Sequence, residues 1–326
     1  MKEEEIRKRD VFNEYLELVR ADSEKLFFDH SQFVSIDCPA CGSSENNPEI
    51  EKYGFTYVQC KRCDTLFVNP RPPVSVLNDF YARSESTSFW VNKFFLPVAE
   101  ARREKIFRPR AELIAQMLPE VRSGIIGDIG AGFGLFLEEI GIVWPTAHVV
   151  AIEPSVEMAG ICREKNIDVI EKMLEDIGAG DSRFDLLTAF ELFEHLFDPR
   201  FFVDKVYELL NPGGYFVLTT LNGLGFDIQI LWEKSKSIFP PHHLNFFNPR
   251  SIAGILKDRG FEIIDCSTPG KLDWDIIEGI YLQEKQDIGR MWRTVTKYVS
   301  ADAKASLQSW ISESGMSSHM RVIARK

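Results

Sequence analysis

Long apolar runs are missing from this chain. No stretch of its 326 residues approaches the ~18 apolar side chains that a membrane span needs, so no membrane partner is expected. The opening MKEEEIRKRD mixes charges of both signs and does not form a secretory signal, which makes the cytoplasm the expected location. Positive charge is short as well: 38 Lys and Arg against 49 Asp and Glu leave a net charge of -11 and a pI near 5.2. That balance argues against broad attraction to a nucleic acid backbone and leaves room only for a local basic patch. Cysteine is sparse, six in all, which excludes a disulfide scaffold in a chain this long. Internal repeats and low-complexity tracts are not visible either. What remains, at 44 % hydrophobic content, can bury a full core, with room for one large domain and a smaller module.

Four of the six cysteines stand in two close pairs, Cys38-Pro-Ala-Cys41 and Cys60-Lys-Arg-Cys63, with eighteen residues between them. That spacing suits a structural zinc site, in which each knuckle supplies two thiolates and the intervening hairpin folds back to complete a tetrahedron. Four cysteines close the coordination sphere, so the expected metal, Zn2+, supports folding of the 38–75 module and leaves no position for substrate. Residues 1–37 precede it. There Ile6, Val11, Phe12, Tyr15, Leu16, Leu18 and Val19 recur near helical period, which predicts an amphipathic helix. Such a helix packs on a neighbour, packs on a second subunit in a homodimer, or lies in solvent, and the pattern leaves these open. The ribbon ends in a strand at Thr65–Val68 and a proline-stiffened linker, Asn69-Pro-Arg-Pro-Pro73. A helical cap or linker at 76–118 follows, rich in Phe80, Tyr81, Phe89, Trp90, Phe94 and Phe95. Its rings either pack a connecting layer or cover a substrate pocket, with Tyr81 as the candidate lining residue. The charged run Glu100–Lys105 reads as a solvated helix face.

From 119 to 326, short apolar runs alternate with helical patterns, which predicts a parallel sheet wound with helices, an α/β fold. Its first turn is Asp128-Ile-Gly130-Ala131-Gly132-Phe-Gly134. Strand, glycine turn and helix in succession bring bare backbone close to a ligand. A dinucleotide fingerprint wants its third glycine at the sixth position, where Leu135 stands. The pattern D-x-G-x-G-x-G resembles motif I of the class I S-adenosylmethionine-dependent methyltransferases, and the resemblance implies that the loop holds the methionine part of S-adenosyl-L-methionine.

Later segments extend that resemblance. The second strand, Ala147–Ile152, ends at Glu153-Pro154, and Glu153 lies 25 residues after Asp128, where the family places its ribose-binding acid. Asp168–Ile170 forms a third strand, with Met173 and Leu174 beyond it, where the resemblance puts residues against the adenine. A fourth strand, Phe184–Phe190, runs into Glu191-Leu-Phe-Glu194-His195 and Asp198-Pro199; a helix over Phe201–Leu210, the turn Asn211–Gly214 and a fifth strand, Tyr215–Thr220, follow. This succession is similar to the small-molecule methyltransferases that include the ubiquinone-biosynthesis O-methyltransferases. It implies a Rossmann-like seven-stranded methyltransferase sheet. On it, Asp128, Gly130, Ala131, Gly132, Gly134, Glu153, Pro154, Met173, Leu174, Phe190 and Glu191 are the expected cofactor-binding residues.

Methyl transfer to a hydroxyl or an acidic carbon needs a base, and histidine is the usual choice. Glu191, Glu194 and His195 stand at i, i+3 and i+4, on one face if the turn is helical. The ubiquinone-type enzymes carry an E-x-x-E-H metal site at this place, which admits Mg2+, while Glu194 and His195 bracing the loop is the alternative. The second place is Phe239-Pro-Pro-His242-His243-Leu-Asn-Phe-Phe-Asn-Pro249, which resembles the family's H-x-x-x-F-x-P loop above the acceptor. His243 is the preferred base and His242 the second; His195 and Tyr81 complete the catalytic candidates. A helix over Ser251–Arg259 and a strand over Phe261–Ile264 follow. A helical insertion at 271–317, either a lid or a dimer contact, then precedes a last strand at Met320–Arg325, expected beside the sixth.

Together these features identify an expected enzyme, a methyltransferase acting on a hydroxyl or an acidified carbon of a small molecule: a sugar, a nucleotide-sugar or a specialised metabolite. Zinc-ribbon fusions of this kind resemble sugar C-methyltransferases, whose longer members carry a further C-terminal domain with no counterpart here, which tilts the expectation towards oxygen. Two alternatives stay open. In one, the ribbon grips RNA through Lys61, Arg62 and Arg71, against the net charge and without the N/D-P-P-Y/F motif at Phe190–Phe193. In the other, the chain is a non-catalytic cofactor-binding scaffold.

Overall fold

Eleven strands arrange themselves in two sheets in the computed structural model, which describes residues 2–178, 180 and 183–326. In chain order they are β1 (Asn46–Lys52), β2 (Phe55–Cys60), β3 (Leu66–Val68), β4 (Ile125–Ile129), β5 (His148–Ile152), β6 (Asp168–Ile170), β7 (Phe184–Phe190), β8 (Leu210–Leu221), β9 (Asn245–Phe246), β10 (Glu262–Ser267) and β11 (His319–Arg325). One sheet has four strands in the order β1-β2-β3-β9; the other has seven in the order β10-β11-β8-β7-β4-β5-β6. The chain divides into two compact units, one of residues 1–98, 221–252 and 267–320, the other of residues 99–220, 253–266 and 321–326.

The seven-stranded sheet dominates the second unit. Strands β4, β5 and β6 step in one direction and β7 and β8 in the other, and the pairs β4–β5, β4–β7, β5–β6 and β7–β8 are all parallel. The order therefore reverses between β4 and β7. In open α/β sheets the carboxyl ends of the strands at such a reversal leave a crevice, because successive crossovers leave on opposite faces. Ile126, Phe136, Leu137, Ile140, Ala151 and Leu186 pack the core beneath it, and the apolar runs of the sequence are buried on both faces as a parallel sheet requires. The last strand, β11, lies beside the sixth, β10, as its sequence predicts. One boundary differs from the sequence reading: β8 begins at Leu210, so the Asn-Pro-Gly-Gly segment is drawn into the strand, and a register shift between Phe184 and Leu186 absorbs it. The run Glu100–Lys105 is not simply a solvated face either. Arg103 reaches Glu138 at 2.7 Å and Glu139 at 3.2 Å on the helix after the glycine turn, an ion pair that periodicity alone does not reveal.

The first unit contains the four-stranded sheet, the N-terminal helix Arg9–Leu26 and the helices Asp273–Leu282, Arg290–Tyr298 and Ala301–Glu313. The amphipathic pattern near the N-terminus is spent inside this unit: Phe12, Tyr15 and Val19 are buried, and the Tyr15 ring lies 5.0 Å from Trp90 and 6.0 Å from Phe239. The aromatic stretch after the ribbon is thus a packed layer, with Trp90 stacked on Phe94 at 4.2 Å. The helices of 271–317 bury Trp274, Ile277, Ile280, Ile288 and Ile311 with Phe226 and Leu231 in a core of their own. None of the helices is long and apolar enough to cross a membrane among the described residues.

Candidate functional site

In the second unit the glycine turn sits at the carboxyl end of β4. Gly130, Gly132 and Gly134 all have positive φ, 68°, 54° and 69°. At Gly134 the demand is steric as well: a Cβ there would come within 2.8 Å of Ile167 Cδ1 and 3.1 Å of Cys162 Sγ, so the left-handed residue that opens the helix Leu135–Val143 has no room for a side chain. Asp128, 4 % exposed, pairs across the sheet with Thr188, whose hydroxyl donates to Asp128 Oδ1 at 2.6 Å. Burial pushes the Asp128 carboxyl up to about 7, against the opposing pull of the Thr188 hydrogen bond and the Arg110 charge. Glu153 ends β5. Its two carboxylate oxygens accept from Gly132 N at 2.8 Å and Ser155 N at 2.9 Å, and burial raises its pKa while those amides oppose the rise. The acid thereby clamps the glycine turn to the end of the second strand. Pro154 follows it directly, Ala131 lies inside the turn and is half-buried, Met173 is 45 % exposed, and Leu174 is buried.

Arg110 is the residue of this neighbourhood that the sequence reading missed. It lies on the helix Arg108–Met117, its guanidinium stacks over the Phe190 ring at 4.2 Å, and its Nη2 donates to Glu191 Oε1 at 3.2 Å. Burial lowers its pKa and the Glu191 charge opposes this. The only signal in the sequence was an arginine on the half-buried side of a helix otherwise carrying Ala111 and Ile114 in the core. The Glu191 carboxylate also accepts the Thr219 hydroxyl at 2.7 Å.

This geometry corrects the reading of Glu191, Glu194 and His195 as one helical face. Glu191 has φ 51°, a left-handed residue that turns the chain off the end of β7, and only Phe193–His195 form a single 3-10 turn. Glu194 is buried and accepts the Thr220 hydroxyl at 2.7 Å. Among the described residues, Glu191 does not join Glu194 and His195 in a cluster whose ligand atoms lie within 4.8 Å of one another. Glu191 is instead engaged by Arg110 and Thr219, so the three residues do not form the single face that their spacing suggested.

In the first unit, the Sγ atoms of Cys38, Cys41, Cys60 and Cys63 all lie within 4.8 Å of one another. The Cys38–Cys63 and Cys41–Cys60 separations are 3.5 and 3.6 Å. A tetrahedron with Zn–S bonds of ~2.3 Å has edges of about 3.8 Å, so the four sulfurs fit a zinc ion. The hydrogen bond from Cys38 pulls the Cys63 thiol down to about 5, and the Cys63 sulfur also lies 3.2 Å from the Thr65 hydroxyl. The same hydrogen bond raises the Cys38 thiol, and burial pushes Cys41 up to about 11, so the spacing of the sulfurs and not their titration carries the fit.

The histidine loop is built onto the same sheet. Strand β9 pairs with β3, Phe67 opposite Asn245, and Tyr57 on β2 donates its hydroxyl to the His243 carbonyl at 2.6 Å. His242 is buried, its ring 4.7 Å from Phe80, and its carbonyl accepts from the Tyr81 hydroxyl at 3.2 Å, so these two candidates stand together. His243 is half-buried, with its Nδ1 2.6 Å from the Ser237 carbonyl oxygen. Of the basic residues near the ribbon, Lys61 and Arg62 are exposed, but Arg71 is fully buried, donating to the Val68 carbonyl and to Asn245 Oδ1, and so is withdrawn from any RNA contact.

A family model described as a methyltransferase domain matches residues 99–265. Among curated proteins, the ubiquinone biosynthesis O-methyltransferase of Xanthomonas euvesicatoria pv. vesicatoria is 28 % identical over 171 residues, which is 48 % of this chain and 70 % of that protein. The ubiquinone biosynthesis O-methyltransferase of Xylella fastidiosa is 27 % identical over 176 residues, 48 % of this chain and 68 % of that one. Among solved structures, an S-adenosylmethionine-dependent methyltransferase of Mesorhizobium loti aligns with 69 % of this chain and 100 % of its own, at 18 % identity and a TM-score of 0.47.

Proposed function

This chain belongs to the class I S-adenosylmethionine-dependent methyltransferases, and from that premise we propose that it methylates a hydroxyl oxygen of a small molecule, with His243 as the base. The observation that carries this reading is the contact of His243 Nδ1 with a backbone carbonyl at 2.6 Å. A carbonyl oxygen only accepts, so Nδ1 carries the proton and Nε2 the lone pair, the form a general base needs. His242 is the weaker candidate because its ring is packed among Tyr15, Phe80 and Phe239. Tyr81, which donates to the His242 carbonyl, and His195 serve in this reading as braces of their loops.

In the cofactor site, the backbone of Gly130, Ala131, Gly132 and Gly134, the carboxylates of Asp128 and Glu153, and Pro154, Met173, Leu174, Phe190 and Glu191 hold S-adenosyl-L-methionine. Their fit rests on two buried acids flanking bare backbone at the sheet's reversal point. The bound cofactor supplies a methyl group on a positively charged sulfur. This chain's own contribution is to bind, orient and take up one proton from the acceptor at His243 Nε2, and positioning supplies much of the rate. Zinc in the four-cysteine site is structural. The names of the curated relatives support oxygen as the methylated atom, and sugars, nucleotide-sugars and specialised metabolites are acceptors whose hydroxyls need such a base.

The test is methyl-label transfer from S-adenosylmethionine into fractionated metabolite extracts, with wild type and His243→Ala compared. Label in an O-methyl product, lost at least a hundredfold in the variant while cofactor binding by calorimetry is unchanged, is the expected result. Near-normal turnover in His243→Ala overturns the base. Label appearing in RNA, with the steep salt dependence of phosphate contacts, replaces the small-molecule acceptor.

A further inference from the structure

A buried carboxylate stands behind His243. Asp227 is 2 % exposed and, among the described residues, its contacts are three serine hydroxyls and no cation. Two of them converge on a single oxygen: Ser235 and Ser237 donate to Asp227 Oδ2 at 3.2 and 3.0 Å. The Ser237 amide donates in turn to Ser235 Oγ at 3.2 Å, and Lys52 Nζ donates to the Ser235 carbonyl at 2.9 Å. Ser237 is the residue whose carbonyl receives His243 Nδ1. Burying a carboxylate without a counter-charge is costly, and hydrogen bonds from hydroxyls offset that cost only while they persist, so the serine turn is held wherever the carboxylate is.

We propose that Asp227 is a positioning residue that, through Ser237, locks His243 in the tautomer with the proton on Nδ1 and the lone pair on Nε2. The proposal deepens the reading of His243 as base and rests on it for its catalytic meaning. The chain of contacts is short. The carboxylate fixes the Ser237 hydroxyl, the hydroxyl fixes the turn, and the turn aims one carbonyl at one ring nitrogen. No proton passes along it, because the serine carbonyl only accepts. A purely structural role is the competing account, because the other oxygen of the same carboxylate accepts the Ser318 hydroxyl.

The two accounts separate in the ring-nitrogen NMR shifts of His243, assigned by comparison with His243→Ala and recorded at a pH where the ring is neutral. Wild type should show a protonated Nδ1 and a bare Nε2. Ser237→Ala and Asp227→Asn should each move the majority of the ring to the other tautomer, with kcat falling about tenfold and the cofactor dissociation constant unchanged. Ser318→Ala should lower stability and leave the tautomer as in wild type. An unmoved tautomer in Ser237→Ala overturns the proposal, and that variant suffices should Asp227→Asn fail to fold. A moved tautomer with unchanged kcat upholds the positioning and overturns the base reading instead.

Discussion

Asn248 and Cys63 are joined by a hydrogen bond: the Asn248 side-chain amide donates to the Cys63 carbonyl at 2.8 Å, while its Oδ1 accepts from Ser251 N at 2.9 Å. One side chain thus caps the helix that begins at Pro249 and anchors the histidine loop to the second cysteine pair. Together with the β3–β9 pairing that starts three residues after Cys63, this makes the four-cysteine module a support for the loop that carries His242 and His243.

Metal removal tests that support. With a chelator, or in Cys63→Ser, amide exchange at Leu66–Val68 and at Asn245–Phe246 should accelerate together, at least tenfold, if the proposed zinc supplies part of the folding energy of this small module. The amides of β4 serve as the internal control. Asn245 and Phe246 staying protected after chelation would sink the idea.

Asp128 predicts a pH dependence of stability in the cofactor-free protein. Its carboxyl is raised in the folded state, to about 7, so its contribution is fully present below the ordinary carboxyl range and is lost as pH rises through 7. Asp128→Asn removes the ionisation. The variant's melting temperature should therefore gain on that of wild type between pH 4 and pH 8, by an amount on the order of 2 kcal/mol or more in free energy. Parallel melting curves across that range would show that the buried acid does not titrate there.

Arg110 carries a third expectation. Arg110→Ala should cost about 3 kcal/mol in urea unfolding, since it strips the ion pair from Glu191 and the stacked cation from Phe190. Arg110→Lys should recover little, because an ammonium cannot stack its charge flat on a ring while donating to Glu191. A lysine variant as stable as wild type argues for charge alone.

The α/β class, the four-cysteine cluster and the glycine turn were legible in the sequence because each depends on local order: alternating apolar runs, two C-x2-C pairs, and glycines at fixed offsets after a strand. Glu153 was legible as well, since a strand end at the right distance has one place in a parallel sheet. Glu191 was not. Its spacing to Glu194 and His195 suggested a helical face, but spacing defines a face only if the backbone is helical, and a left-handed residue at the end of β7 breaks that condition.

By itself, then, the sequence determined which elements form and where the glycine turn stands, because periodicity and turn chemistry act over a few residues. Only the tertiary structure decided which distant side chains meet. Arg110 reaches Glu191, Asn248 reaches Cys63, and Asp227 holds the turn behind His243, contacts spanning 81, 185 and 10 residues of chain. Such pairs arise from the closing of sheets and cores, a long-range event that leaves no regular spacing behind it.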